Sequence, residues 1–296
     1  DPQHATQIVL AYVRLLKNRT SLEPTNPDYL NPSSVPNKIK PIKKLLDMSD
    51  IGLAWKRIYS TYPEEDNTHR GRGYTRDEIR ILLQDSDSTA TQFFILGSCS
   101  GGMRMGAWEA MKWSSVFPIY QQNNDYVIEP TDDNATIVCA AMIVYPGTAE
   151  EYVALISKEA WNKLQEYKRE RTAITGMPPQ DSEPLLLKKH YNEPITSCTI
   201  RNRMIKLVRQ SGIRSKLKDG KKRYDVPMTH GFRRFWDKVM MEQSRKSDKL
   251  SVLVKKESLF GHSGIVNTDK NYYWTYVLYL VSDYLVAMPE LTIDDT

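Results

Sequence analysis

The sequence predicts an α+β protein, mainly α with a small antiparallel sheet. Three observations carry this. Apolar residues recur at helical spacing along most of the 296 residues. β-Branched and aromatic runs are concentrated in one stretch, Asp125 to Ile156, broken by turn residues. Helix-start signals precede several periodic segments, and Thr75 with Glu78 has capping-box spacing.

In chain order, Gln3 to Lys17 reads as a helix through Ile8, Tyr12, Leu15 and Leu16. Asn18 to Pro32 is a polar loop with three prolines. Ser33 and Ser34 cap a helix through Ile42 and Leu46, where Pro36 suits the first turn and Pro41 does not. Ile51 to Tyr62 is a further short helix. Pro63 to Gly73 is polar with two glycines and reads as a linker. It divides a helical domain, residues 1–66, from a second domain, residues 67–296. The chain starts at Asp1 without a methionine, as expected if a longer native N-terminus is missing.

The second domain opens with a helix from Thr75 to about Gln84. Thr89 to Gly97 is a buried helix that leads into the Ser98–Gly102 turn, and Met105 to Trp113 is a helix with Arg104 at its start. Asp125–Glu129, Ala135–Tyr145 and Tyr152–Ile156 are the strands. Ser157 to Arg171 is a helix, and Thr172 to Glu193 is a proline-bearing loop. Thr196 to Ser211 is a helix with Ile200, Met204, Leu207 and Val208 on its apolar side. Lys238 to Ser258 and Tyr276 to Met288 are helical, and Leu291 to Ile293 suits a short strand.

Composition narrows the class. Hydrophobic content of 40% and charged content of 26% fit a soluble globular protein. No apolar run approaches the ~18 residues of a membrane span, and no signal peptide is visible. Cys99, Cys139 and Cys198 are odd in number and widely spaced, which favours a reducing, cytoplasmic compartment over a disulfide framework or zinc site. The net charge of +5 is modest, but its clustering is not. From Arg201 to Arg223 there are ten Lys or Arg and a single acid, Asp219. Such a run exceeds what solubility requires and points to phosphate contact. Arg201, Arg203, Lys206, Arg209, Arg214 and Lys216 are the candidates there. Lys38, Lys40, Lys43 and Lys44 form a second basic group, which a solvated helix face explains about as well.

The chemistry concentrates in four short stretches. Thr229 to Trp236 reads Thr-His-Gly-Phe-Arg-Arg-Phe-Trp, placing His230 and Arg233 on one helical face. Leu259-Phe-Gly-His262 supplies a second histidine, and Asn271-Tyr-Tyr-Trp274 supplies hydroxyls. Ser100-Gly-Gly-Met-Arg-Met-Gly106 supplies Arg104. Guanidiniums bind non-bridging phosphate oxygens in a fork. An imidazole can take a proton from a tyrosine hydroxyl, whose pKa of about 10 otherwise makes it a poor nucleophile. This set can attack a phosphodiester with no metal and no cofactor.

Taken in order, these stretches resemble the tyrosine recombinases, or phage-type integrases, and specifically the archaeal branch. Ser-Gly-Gly-Met-Arg-Met-Gly-Ala resembles the family's first arginine box. Thr-His-Gly-Phe-Arg resembles its His-x-x-Arg box, Leu-Phe-Gly-His its Leu-Gly-His box, and Asn-Tyr-Tyr its nucleophile box. The resemblance spans roughly Asn37 to Ile293. It implies a helical core-binding domain and a tyrosine-recombinase catalytic domain that together clamp double-stranded DNA attachment sites. It further implies a homo-tetramer on paired sites, exchange of C-terminal tails between subunits, and a nucleoid-associated role in integrating or excising a mobile element. By carry-over, Arg104 and Arg233 hold the scissile phosphate, and His230 and His262 assist. Tyr273 is the nucleophile, with Tyr272 the alternative.

Three departures stand out. The family carries a general-acid lysine on a sheet turn, yet no lysine occurs between Lys112 and Lys158. Lys158 is the nearest substitute. An acid frequent three residues after the first arginine is Ala107 here. The spacing from His262 to the tyrosine pair is slightly long. Two alternatives therefore stay open: a type IB topoisomerase that relaxes strands without pairing sites, and an impaired integrase relative that only binds DNA.

Overall fold

The computed structural model describes residues 1–64, 71–188, 193–215, 224–247 and 273–294, without the side chains of 247 and 273–276. The chain divides into two compact units. One is Asp1–Gly71, joined by Tyr224 and Asp225, and the other begins at Arg72.

In the first unit, α1 (Pro2–Thr20) starts where the Asp1 carboxylate accepts the Gln3 N–H. It packs against α2 (Val35–Met48) and α3 (Trp55–Tyr59). Val9, Leu10, Val13, Leu16, Val35, Ile39 and Ile58 form the core. Pro36 occupies the first turn of α2, while Pro41 lies inside the helix. Lys38, Lys40 and Lys44 are exposed. Lys43 is more committed, with its ammonium 5.6 Å above the Trp55 ring and 4.0 Å from Asp47.

The second unit is built around α5 (Thr89–Gly101), which is buried on nearly every face and packs against a strand and two helices. Before it comes α4 (Arg76–Gln84), whose capping box between Thr75 and Glu78 is complete. After it, the stretch read as one helix from Met105 to Trp113 is only α6 (Ala107–Ala110) followed by a 3-10 turn. Met111 turns extended, and Lys112 bridges Pro184, so tertiary pairing overrides helix propensity there.

The sheet has four strands in the order β2-β1-β3-β4, all antiparallel: β1 (Val116–Gln122), β2 (Asp125–Val127), β3 (Thr136–Val144) and β4 (Tyr152–Ser157). The strand β1 was not expected. Pro118 argues against a central strand, since it cannot donate to a ladder. Yet β2 pairs only with Tyr120 to Gln122, so at Pro118 the strand has β3 alone beside it, an edge position where proline is tolerated.

Four helices complete the unit. Ser157 caps α7 (Lys158–Thr175), and Gly176 ends it in the left-handed region at φ 78°. Buried Arg171 bonds Pro184 O and pairs with Glu183, pinning the loop that follows. Thr196 caps α8 (Ser197–Ser211), which buries Ile200, Met204, Leu207 and Val208. The helix α9 spans His230–Ser247 and α10 spans Tyr273–Leu291. Leu291 to Ile293 is no strand: it is the end of α10 and a turn that buries Ile293.

The tail packs on its own unit. Val277, Leu280, Val281, Tyr284, Ala287 and Leu291 are buried along one face of α10. Tyr284 Oη donates to Ser100 O at 3.0 Å. The Ile293 and Asp294 N–H groups donate to the Glu159 carboxylate, and Arg76 and Arg80 bond Pro289 O and Ile293 O. In this single chain the tail expected to be exchanged between subunits is docked in cis. No helix among the described residues is long and apolar enough to cross a membrane.

Candidate active site

Arg104 is placed by the end of α5. Gly102 caps that helix in the left-handed region at φ 64°, with its N–H bonded to Ser98 O at 3.1 Å. A Cβ at Gly102 would lie 2.7 Å from the Trp236 ring. The turn is thus pressed against α9, the helix that carries His230 and Arg233. Glycine is required here twice over, for its dihedral and for the close approach.

α9 starts against a second pair of glycines. A Cβ at Gly231 would meet the Tyr74 ring at 2.6 Å, and one at Gly73 would meet the Phe235 N at 2.7 Å. Tyr74 N–H donates to Gly231 O at 3.3 Å. Phe232 is buried, stacked at a tilt on Tyr74 with centroids 4.7 Å apart. The glycine between His230 and Phe232 therefore lets the Tyr74 backbone and ring lie on the first turn of α9.

With α9 so fixed, Arg233 is only 6% exposed and donates from Nη1 to Gly102 O at 2.5 Å. Burial lowers its pKa, with neighbouring Arg104 acting in the same direction, and a guanidinium keeps its proton regardless. Arg104 is half-buried. Among the described residues no ion pair or hydrogen bond engages its guanidinium. His230 is the first residue of α9. Partial desolvation holds its imidazole below the ordinary 6.5, with Arg233, Arg234 and Arg104 adding to the effect. It is therefore predominantly neutral at pH 7, the form that can accept a proton.

Tyr145 and Tyr152 close the other side, flanking the turn between β3 and β4. Their ring centroids lie 6.4 Å apart. Tyr152 is buried, and its pKa is raised by desolvation against the opposing pull of Arg233 and Arg104. Sequence reasoning passed over both tyrosines. The available signal was their position bracketing the Pro146–Gly147 turn that lacks a lysine.

The predicted site residues separate accordingly. Arg104, His230 and Arg233 come together. Lys158 does not join them: it is the exposed first residue of α7, six residues past Tyr152, or about 20 Å along an extended chain. Tyr273 opens α10 by its backbone. His262, Tyr272 and Lys216 lie outside the described residues.

The basic helix adjoins this site. Glu109, five residues beyond Arg104, accepts the Ser197 N–H at the start of α8. Arg201, Lys206 and Arg209 are exposed on α8, and among the described residues they make no ion pair. Arg203 is half-buried. Arg214 is engaged structurally, its Nε donating to Val226 O at 2.7 Å.

No family model matches the chain, and no curated protein matches it by sequence. Solved structures do. The Tn1549 transposon integrase in complex with a circular-intermediate DNA is similar over 92% of this chain and 84% of its own, at 12% identity and a TM-score of 0.54. A lambda integrase dimer bound to a core site is similar over 92% and 78%, at 15% identity and a TM-score of 0.48. The XerA recombinase is similar over 94% and 93%, at 14% identity and a TM-score of 0.44. The chain shares the α+β fold of that transposon integrase.

Proposed function

We propose that this protein is a site-specific DNA recombinase or integrase that cleaves and rejoins strands through a covalent 3′-phosphotyrosine. The observation that carries this reading is the convergence of Arg104 and Arg233 beside a neutral His230. Two adjacent guanidiniums repel each other at cost in a half-buried site, and an oxyanion between them relieves that cost. A scissile phosphate is such an oxyanion, and its charge grows as phosphorus becomes five-coordinate. His230 then takes the proton of the attacking hydroxyl.

Tyr273 is the proposed nucleophile, with Tyr272 the alternative, and His262 is the proposed second phosphate contact. Arg201, Lys206 and Arg209 on α8 are the proposed duplex contacts in the second unit, and the exposed lysines of α2 are those in the first. Residues 1–66 would act as the core-binding domain and 67–296 as the catalytic domain. Double-stranded attachment sites of a mobile element, held by a homo-tetramer in the nucleoid, are the proposed partners. In such an assembly, exchange of the tail requires α10 to leave the groove it fills in cis.

The test is covalent capture. Nicked suicide duplexes, carrying a binding sequence selected from random DNA with the full chain, are incubated without metal. Protein–DNA adducts are then resolved under denaturing conditions. An adduct lost in Tyr273→Phe but retained in Tyr272→Phe supports the reading and its nucleophile, and the reverse moves the role to Tyr272. Selected DNA that is bound but never captured makes the chain a DNA-binding relative without cleavage. Relaxation of supercoiled DNA by a monomer, with no pairing of sites, would favour the topoisomerase reading.

The state of His230 adds a pH test. Because its pKa lies below 6.5, the neutral base persists as pH falls through 6.5. The fall in adduct formation with decreasing pH should therefore be centred below pH 6.5. His230→Gln should be slower and lack that decline. A decline centred above 6.5 that vanishes in the variant would contradict the assignment.

A further inference from the structure

The hairpin between β3 and β4 aims one side chain in a direction that its strand does not dictate. Side chains alternate between the two faces of a strand. Val144 pairs in register with Tyr152, so these two share a face and Tyr145 belongs on the other. Instead Tyr145 has a φ of 55°, and its ring centroid lies 6.4 Å from that of Tyr152. Positive φ is an outlier for a bulky side chain. It is doubly unfavourable before Pro146, because a following proline favours extended backbone. Strain of this kind collects at functional sites.

The turn is built to keep that conformation. Tyr145 O accepts the Thr148 N–H at 3.2 Å and the Thr148 hydroxyl at 2.9 Å. The Gly147 N–H donates to the Glu151 carboxylate at 2.5 Å. Held in this way, Tyr145 adjoins both arginines of the site. Its hydroxyl lies 3.7 Å from the position of a Cβ on Gly106, two residues beyond Arg104. Its ring neighbours Tyr152, which is hydrogen-bonded with Arg233. Tyr152 is buried, whereas Tyr145 is partly exposed. Among the described residues no hydrogen bond engages the Tyr145 hydroxyl, so it is open to a ligand that arrives from solvent.

Resting on the recombinase reading, we propose that Tyr145 is a further catalytic residue, whose hydroxyl donates a hydrogen bond to a non-bridging oxygen of the scissile phosphate. The phosphate lies between Arg104 and Arg233, and the hydroxyl meets it from the hairpin side. Charge grows on the non-bridging oxygens as phosphorus becomes five-coordinate, so a fixed donor there stabilises the transition state more than the ground state. A phenol suits this place because it is neutral. A third cation beside two guanidiniums would add to their repulsion before DNA binds, and a phenol donates without that cost. The strained hairpin supplies the fixed position, since the hydroxyl need not be ordered when DNA arrives.

Tyr145→Phe tests this, since it keeps the ring and the hairpin contacts and removes only the hydroxyl. Single-turnover adduct formation is measured at saturating protein on three suicide duplexes, cleaved at a position mapped with the unaltered chain. One has the ordinary scissile phosphate. The other two are the separate phosphorothioate isomers, in which one or the other non-bridging oxygen is sulfur, a weaker hydrogen-bond acceptor. On phosphate the variant should be slowed about 10- to 100-fold, the loss of one hydrogen bond to a charged group, with gel-shift affinity within a few-fold of the unaltered chain. On one isomer the variant should come within a few-fold of the unaltered chain, because the accepting oxygen is already gone, and on the other it should stay slowed. Equal slowing on all three duplexes marks a structural role and overturns the proposal, as does no slowing on phosphate. If the unaltered chain captures no DNA, the recombinase reading falls and takes this inference with it.

Discussion

Arg233→Lys should reduce adduct formation by about 10²- to 10³-fold, the usual effect of removing one donor from a developing oxyanion. DNA binding should persist. Both charges are formally positive, so the prediction depends on geometry and burial. Arg233 donates Nη1 to Gly102 O, and a guanidinium carries five N–H donors in a rigid fork, the geometry that matches phosphate oxygens. A lysine ammonium reaches one acceptor at a time with a compact charge. At 6% exposure it would also be pressed to lose its proton, which a guanidinium is not. Gel-shift affinity and single-turnover cleavage should be measured together. A variant that binds weakly but cleaves normally once bound would place Arg233 in DNA binding instead of the reacting centre.

Gly102→Ala should destabilise the second unit by about 2–5 kcal/mol. One part is the left-handed backbone, φ 64°, which costs a residue with a Cβ roughly 1–2 kcal/mol. The other is overpacking against Trp236, 2.7 Å from the added carbon, typically about 1–3 kcal/mol. Gly147→Ala is the matched control. It has φ 77° but nothing within 4 Å of its Cβ position, so only the first part applies. Urea midpoints for the two variants should differ by the packing term. Equal shifts would mean that Trp236 moves aside freely and that the turn is not clamped to α9. Because Gly102 O is the acceptor for Arg233, the clamped turn also predicts slower cleavage by Gly102→Ala than by Gly147→Ala.

The helices with side-chain caps were legible because their signals are local. Thr75, Ser157 and Thr196 each accept a backbone N–H of their own first turn. Such a bond needs no distant partner, so residue type and spacing suffice to read it. β1 was not legible, because its proline is tolerated only where the sheet leaves one side open. The extent of α6 was equally hidden, since the Lys112 bridge to Pro184 depends on a segment more than seventy residues away.

The candidate site divides along the same line. Arg104, His230 and Arg233 could be named from residue type and order, because phosphate chemistry restricts which side chains can serve. Their convergence was decided by tertiary packing: Gly102 against Trp236, Gly231 against Tyr74, and Arg233 on Gly102 O. Tyr152 is the strongest case. In sequence it is one of 17 tyrosines, and only burial beside two guanidiniums distinguishes its hydroxyl. Sequence determined which groups the protein carries and where its helices start, since both follow from neighbouring residues. Tertiary structure alone decided which groups meet, because burial and proximity arise from contacts between segments far apart in the chain.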